Sequence, residues 1–554
     1  MRKSTFIVYI LLIIPVLGLT QTPTFHPKWD KRYGGNMEDI ISNFQITSDS
    51  GFVLGGTSYS GLSGDKSDPN YDTSFVTGDF WIVKTDSLAV KQWDKRYGGN
   101  NSEIHLETIQ TTDGGYISCG QSFSGISGDK SQPNWDPTQV SNDYWVIKTD
   151  SAGNKEWDKR FGGTSFELVA SVRQTNDGGY ILCGSSFSGI GGDKTQANQG
   201  AWDYWVVRIN STGTKLWDKR FGGTLDDFST CMDKTADGGY LIGGYSKSNA
   251  DGDKSEPCQG NWDYWVVKIN DQGTKVWDKT FGGNYTDWLF CMTLTSDGGF
   301  LLGGQSFSEA TGDKSDPNHD ATPAGSDFWI VKTNSAGAKV WDRTYGGSEI
   351  EDISKVTQTS DGGFLCSGES YSPADGNKTE ANLGVEQTWV VKTDTLGIFE
   401  WDKTIFTYGH DESGTAVPYT EDCFVAINFT QADTGGYVSE MSRGVGDYFM
   451  VKLCKDDPLS IHDPASNLNS WQLYPIPAND EIYIKSSDSQ SEISHIEIFD
   501  MSGKQVYANS VKRESFSQGA PVKIDIQKLP AGIYICRVKN QQSLINLKLI
   551  KTEH

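Results

Sequence analysis

The chain has 554 residues, a net charge of −24, 62 glycines and 12% aromatic residues. That length exceeds one ordinary core and points to several domains or a repeat array. The acidity argues against a nucleic-acid or anionic-membrane partner, because like charges repel phosphate. A composition rich in Gly and aromatics, without helix-forming runs, favours short strands and tight turns.

The first element is the N-terminal stretch MRKSTFIVYILLIIPVLGLTQT. Arg2 and Lys3 precede an apolar run over Phe6–Leu19, and Gly18 and Thr20 suit a signal peptidase. This predicts a cleaved secretory signal over residues 1–20. The run is too short to span a membrane and no second one follows, so no transmembrane segment is expected after signal removal. The first cysteine is Cys119, which leaves no lipid-anchor cysteine at the cut.

A heptapeptide, WDKRYGG, then starts at Trp29 and recurs unchanged at Trp93. Looser copies start at Trp157, Trp217, Trp277, Trp341 and Trp401, giving spacings of 64, 64, 60, 60, 64 and 60. An Asp-Gly-Gly-aromatic turn follows 20 residues after the Trp-Asp pair in the first six copies (for example Asp177 after Trp157), reading Asp49-Ser50-Gly51 in the first; the last has Asp433-Thr434-Gly435-Gly436, 32 residues on. An Asp-aromatic-Trp triplet, as at Asp203–Trp205, stands 14 residues before the next pair. Length variation in the first six units falls between those two landmarks, where Gly64-Asp65-Lys66 recurs from Gly128, Gly192, Gly252 and Gly312. Variation confined to one place marks an exposed loop on a rigid frame.

Each unit reads as four strands, illustrated by Leu168–Thr175, Tyr180–Ser188, Asp203–Ile209 and Lys215–Phe221. Asp-Gly joins the first two as a hairpin, and alternation of Trp205 and Val207 with Tyr204 and Val206 marks the third. The repeats end at Asp447–Leu453, a third strand with no fourth after it, whereas the first WDKRYGG is a fourth strand with no unit before it. The counts match if the N-terminal strand completes the last unit. The expectation is an all-β chain: a seven-bladed β-propeller over 25–454, closed by its N-terminal strand, since radial repetition protects sheet edges.

These residues resemble a propeller repeat common in secreted bacterial proteins. The resemblance rests on Phe161-Gly162-Gly163, Glu167, Asp177–Tyr180, Gly184–Ser188 and Trp205–Arg208, and covers roughly 25–455. It differs from the WD repeat, whose period is shorter and whose Gly-His partner is missing here. After a polar linker over 455–470 comes a different pattern: Leu473-Tyr474-Pro475-Ile476-Pro477-Ala478, Ile496–Asp500, Met501-Ser502-Gly503-Lys504 and Leu529–Ile535. This resembles the type A sorting domain of the type IX secretion system of Bacteroidetes, with Ile476 where the family has Asn. The resemblance implies a small β-sandwich over 471–554, contact with the type IX machinery, and delivery outside the cell or onto the outer-membrane surface.

Catalytic and cofactor motifs are not found. The histidines have no metal-ligand spacing, and no nucleophile elbow or phosphate loop occurs, so neither metal nor cofactor is expected. Cys119 and Cys183 stand where other copies have glycine, and Cys231 and Cys291 share one position, which reads as small buried residues rather than a disulfide framework. Ten residues after each Trp-Asp tryptophan lies a carboxylate: Asp39, Glu103, Glu167, Asp227, Asp287, Glu351 and Asp411, with Asp422 an alternative for the last. Such a row could bind a cation or basic ligand at a channel mouth, or clip backbone N–H groups within and between blades; repetition in every unit favours the clip. The aspartates of the Trp-Asp pairs and the strand-three cations (Lys84 and its equivalents) are expected to pair across strands. Tyr71, Trp135 and Trp202 are the loop aromatics that could meet a ligand. The function read from this is an exported, non-enzymatic binder of a protein or glycan. The alternatives are an extracellular glycan-active enzyme with catalytic groups on the long loops, and a structural surface protein.

Overall fold

The computed structural model describes residues 23–320, 325–455, 471–474, 478–486, 495–500, 504–510, 522–539 and 544–552. The expected signal peptide and, apart from Lys455, the expected linker lie outside the described residues. Two compact units form, one over Pro27–Cys454 and one over Pro23–His26 and Lys455–His554.

The larger unit holds seven four-stranded antiparallel sheets, and no helix occurs among the described residues. Sheet one is Asp39–Ile46, Phe52–Ser58, Asp79–Thr85 and Lys91–Tyr97; the next five repeat this order with consecutive strands. In sheet three the third and fourth strands, Asp203–Ile209 and Lys215–Phe221, fall where the pattern puts them. The first is Glu167–Gln174, one residue early, and the second stops at Ser186. Sheet seven takes Asp411–Thr420, Cys423–Thr430 and Asp447–Lys455 and adds Phe25–Tyr33 from the other end of the chain.

Local chemistry explains the strand ends. In the Asp-Gly-Gly turn Gly178 has φ +80°, a region that side chains disfavour. The Thr175 hydroxyl donates to Asp177 Oδ1 at 2.5 Å, and the Gly179 N–H donates to the same oxygen at 3.2 Å. Every first strand carries a register shift, between Val169 and Ser171 in sheet three, and such bulges increase twist.

Third strands are buried along their whole length in the first six sheets. Each is therefore covered on both faces, and the cover is a neighbouring sheet. Tyr144 packs on Trp205, Tyr204 on Trp265 and Tyr264 on Trp329, with centroids 4.7–5.0 Å apart. Pairs of this kind are worth about 0.5–1.5 kcal/mol beyond the area they bury. The Trp-Asp tryptophans make a second layer, Trp93 on Tyr116 at 5.5 Å and Trp157 on Tyr180 at 6.0 Å. Sheets seven and one meet through the same contacts: Trp81 on Tyr448 at 4.9 Å and Trp29 on Phe52 at 5.8 Å. Their backbones also join, Asp39 N–H donating to Gly446 O at 2.9 Å.

Two expectations change. The Trp-Asp aspartates do not pair with the strand-three cations. Lys84 lies opposite Trp93 while Asp94 lies opposite Val83, so alternation puts the two charges on opposite faces. Asp94 instead accepts the Trp81 indole N–H at 3.1 Å, the Ser67 N–H at 2.8 Å and an ion pair from Lys91 at 2.8 Å. Lys84 reaches the turn carboxylate of Asp49 at 2.9 Å, and Arg208 reaches Asp177 at 2.5 Å. With the aspartates half exposed or more, such pairs are worth about 0.2–1 kcal/mol. The second change is a disulfide, Cys423–Cys454, which links directly opposed residues of sheet seven. By register Cys423 stands where sheet one has Gly51 and Cys454 where it has Asp86, and the altered first hairpin of the last unit hides the first of these in the sequence. Cys119, Cys183, Cys231 and Cys291 are free and buried, as expected.

The smaller unit has a three-stranded and a four-stranded sheet. Ile482, Ile484 and Ile524 of one share a core with Ile496, Ile498, Cys536, Val538 and Leu549 of the other. Residues 475–477 and 501–503 of the sorting pattern lie outside the described residues.

The N-terminal strand is held by more than aromatic packing. Arg32 is 1% exposed, its Nε lies 2.9 Å from Asp447 Oδ2, and its Nη1 donates to Glu440 O at 3.0 Å. Removing it leaves a buried carboxylate uncompensated, which costs about 3–5 kcal/mol. Arg32→Ala is expected to lower the melting temperature sharply and to make sheet seven the first site of limited proteolysis. Arg96→Ala at the equivalent place in sheet one, where the side chain is 18% exposed, is expected to cost less; equal losses would contradict this role.

Candidate functional site

The long loops and the links from sheet to sheet meet at one end of the sheets. Asp65 N–H donates to Gly34 O at 2.8 Å and Asp129 N–H to Gly98 O at 2.9 Å, tying each loop to the link that enters its sheet. The carboxylates Asp39, Glu103, Glu167, Asp227, Asp287, Glu351 and Asp411 all lie here, each at the first position of an inner strand and each 0% exposed. Asp411, not Asp422, is thus the seventh member.

Each carboxylate is already hydrogen-bonded. Gly35 N–H donates to Asp39 at 2.7 Å, Gly99 N–H to Glu103 at 2.8 Å and Gly223 N–H to Asp227 at 2.7 Å. Hydroxyls supply further donors, Ser60 to Asp39 at 2.9 Å and Ser122 to Glu103 at 2.7 Å. Asp411 takes the Thr407 hydroxyl at 2.7 Å instead, because sheet seven lacks the Gly-Gly link. The geometry is that of a clip closing the turn into the inner strand.

A second acidic row pins the loops. Asp79 accepts the Tyr71 N–H at 2.7 Å, Asp143 the Trp135 N–H at 2.9 Å and Asp203 the Gln199 N–H at 2.7 Å. The lysine of Gly-Asp-Lys turns inward. Lys66 is 3% exposed and donates to the Ser58 hydroxyl at 2.7 Å and Ser60 O at 2.9 Å, as well as to Asn70. Sequence reading placed the loops but not this buried ammonium, whose signal was its recurrence in six of the seven copies, with Val438 in the last.

The loop aromatics differ in exposure. Tyr71 is 47% and Trp135 40% exposed. Trp135 leans on the next sheet, its indole donating to Asp193 at 2.9 Å and its ring lying 4.4 Å from the Arg160 guanidinium carbon. Tyr71 lies 5.9 Å from that of Arg96. Trp202 is half-buried between Phe187 and Phe228, at 5.3 and 5.2 Å, and is less available. Between the inner strands lies a cavity of about 360 Å³ lined from all seven sheets, by residues including Ser42, Glu107, Ser171, Thr230, Cys291, Ser354 and Thr415. Arg173 and Glu107 pair there at 2.8 Å.

Comparison with known proteins decides the C-terminal unit. Residues 472–552 match the family model for the secretion system C-terminal sorting domain. The chain is therefore a type IX secretion substrate, secreted or placed at the cell surface. Elsewhere the likenesses are distant. Over 261 residues it is 23% identical to the regulatory protein FlaEY of Caulobacter vibrioides, covering 44% of this chain and 27% of that protein. A protein of unknown function from Dyadobacter fermentans is 9% identical at a TM-score of 0.40, covering 78% of this chain and 99% of that one. A mutant of the Synechocystis apocarotenoid oxygenase is 11% identical at 0.35, covering 76% and 92%.

Burial pushes the clip carboxylates up, Asp39 and Asp227 to about 6, Glu103, Glu351 and Asp411 to about 7, and Glu167 to about 8. Such a group binds its proton more tightly in the fold than in the unfolded chain. Its contribution to stability is full below about pH 4 and is lost as pH rises through 6–8. At the opposite turns burial is outweighed by hydrogen bonds from Thr47 and Lys84 to Asp49, and from Thr111 and Lys148 to Asp113, holding both near 2. That contribution is present above about pH 4 and lost only as pH falls through 2. The melting temperature is therefore expected to be higher at pH 5 than at pH 7.5, and Glu103→Gln to flatten the decline. A melting temperature that rises from pH 5 to 7.5 would contradict the burial of the row.

Proposed function

We propose that the larger unit is a seven-bladed propeller, closed by Phe25–Tyr33, that binds a protein or glycan outside the cell without catalysing a reaction. The observation that carries the architecture is the pairing of the N-terminal strand with Asp447–Lys455. The contacts of sheet seven with sheet one, and a cavity lined by all seven inner strands, support it. An array joined in this way has no uncovered terminal face.

The binding surface in this reading is the loop-bearing end. Its backbone is fixed by buried carboxylates and lysines, so exposed side chains there are held in place before a partner arrives, which lowers the entropic cost of association. Tyr71 and Trp135 offer amphipathic rings suited to stacking on a sugar or packing on a partner protein. The acidic row is assigned a structural part, since its oxygens are occupied within the fold. The sorting domain supports delivery to the place where such a ligand is met.

Two outcomes follow. On a glycan and surface-protein array, the secreted chain is expected to retain a ligand whose affinity falls at least about tenfold in Tyr71→Ala/Trp135→Ala and is unchanged in Asn176→Ala, on a turn at the other end. Loss in Asn176→Ala alone would move the binding surface to that end. Deleting 471–554 is expected to leave a folded larger unit inside the cell envelope, because the smaller unit has its own core. Normal export of the truncated chain would contradict the delivery route.

A further inference from the structure

Three repeat positions converge wherever one sheet hands over to the next. The residue before a third strand lies beside the residue before the next inner strand, as the parallel bridges Trp262–Thr286 and Ser326–Ile350 show. The residue two places further on faces the same spot, so that Trp202 meets Phe228 at 5.2 Å between sheets three and four. Six of the seven junctions carry at most one ionisable residue in these places; Gly78, Ser102 and Ile104 are one such set. Between sheets six and seven the set is Glu386, His410 and Glu412.

Their donor atoms, one from each residue, lie within 4.8 Å of one another. The Glu386 side chain is 0% exposed, and its Oε2 has no hydrogen-bond partner. Its Oε1 faces His410 Nδ1, and His410 Nε2 lies 2.6 Å from Glu412 Oε1. Two further carboxylates stand close by in the fold. Glu369 accepts the Ser413 N–H, and Asp352 Oδ1 is buried with no hydrogen-bond partner. Among the described residues no lysine or arginine is ion-paired with any of these four carboxylates. A buried carboxylate with an unused oxygen, among others of like charge, is costly unless a cation shares it. One imidazole can bring a single positive charge; a divalent ion brings two.

We propose that Glu386, His410 and Glu412 bind one divalent transition-metal cation of the zinc class. An imidazole nitrogen with carboxylate oxygens suits zinc and its neighbours better than calcium, which takes oxygens alone. The ion takes the place of the proton on one ring nitrogen of His410, on the side of the buried Glu386, and the half-exposed Glu412 turns its carboxylate to reach it. Three protein donors leave room in the coordination sphere for water or an oxygen of a partner. The site sits at the loop-bearing end, where sheet six meets the sheet whose repeat pattern is broken.

The test is calorimetric titration of Zn²⁺ into the full secreted chain after chelation and dialysis. One ion per chain is expected. His410→Ala and Glu412→Gln are each expected to weaken binding by at least about tenfold. Glu412 is half exposed, so its variant keeps the question open should Glu386→Gln fail to fold. Asp226→Asn, at the equivalent place between sheets three and four, is expected to bind as wild type does. Absence of stoichiometric binding, or equal binding by wild type and Glu412→Gln, overturns the proposal and leaves a histidine bridging two carboxylates.

Discussion

A sheet with apolar side chains on both faces has to be covered on both. In the larger unit the cover is another sheet of the same kind. Third strands buried from Asp79 to Thr85, or from Asp203 to Ile209, admit no solvent face. A linear row of such sheets would leave two uncovered faces, one on the first sheet and one on the last, with a Trp or Tyr exposed on each. Trp81 of sheet one packs on Tyr448 of sheet seven at 4.9 Å, and both rings are buried. A strand taken from the far end of the chain gives sheet seven its fourth member, held by hydrogen bonds and packing without a peptide link to its neighbour in the sheet.

That requirement also explains where charge is buried. Backbone turns at the loop-bearing end are too tight to satisfy their own N–H groups, and the clip carboxylates accept them instead. The buried ammonium of Lys66 and its equivalents offsets part of the resulting negative charge. Burial of both kinds of group pulls their protonation toward neutrality: Glu103 rises to about 7 and Lys130 falls to about 8. The rigidity of this end is thus obtained with polar groups, which leaves aromatic side chains free to project from it.

Much of this was legible in the sequence because the unit repeats. Landmarks at fixed distances placed the third and fourth strands, confined the variable loop to one segment, and assigned WDKRYGG at Trp29 to the last sheet. The partners of Asp94 and Lys84 were not legible, since side-chain facing depends on a register that the short Ser87-Leu88-Ala89 turn sets. The Cys423–Cys454 pair escaped because the last unit lacks the Asp-Gly-Gly hairpin, which hides that Cys423 stands at the place of Gly51, next to the place of Asp86. Glu386, His410 and Glu412 were hidden differently: His410 lies 24 residues after Glu386 and meets it only through the junction of two sheets. Comparing those three positions across all copies would have picked them out. In the C-terminal unit the expectation of two sheets came from the resemblance carried by 473–478, 496–500 and 529–535, not from any repeat.

The central claim is that the N-terminal strand is a structural member of sheet seven. Amide hydrogen exchange on the secreted chain measures this directly, by comparing Lys28–Tyr33 with the outer strands of other sheets, such as Lys215–Phe221. The account predicts comparable slow exchange in both, lost together on global unfolding. Exchange of Lys28–Tyr33 at the rate of an unstructured segment, while Lys215–Phe221 stays protected, would contradict it.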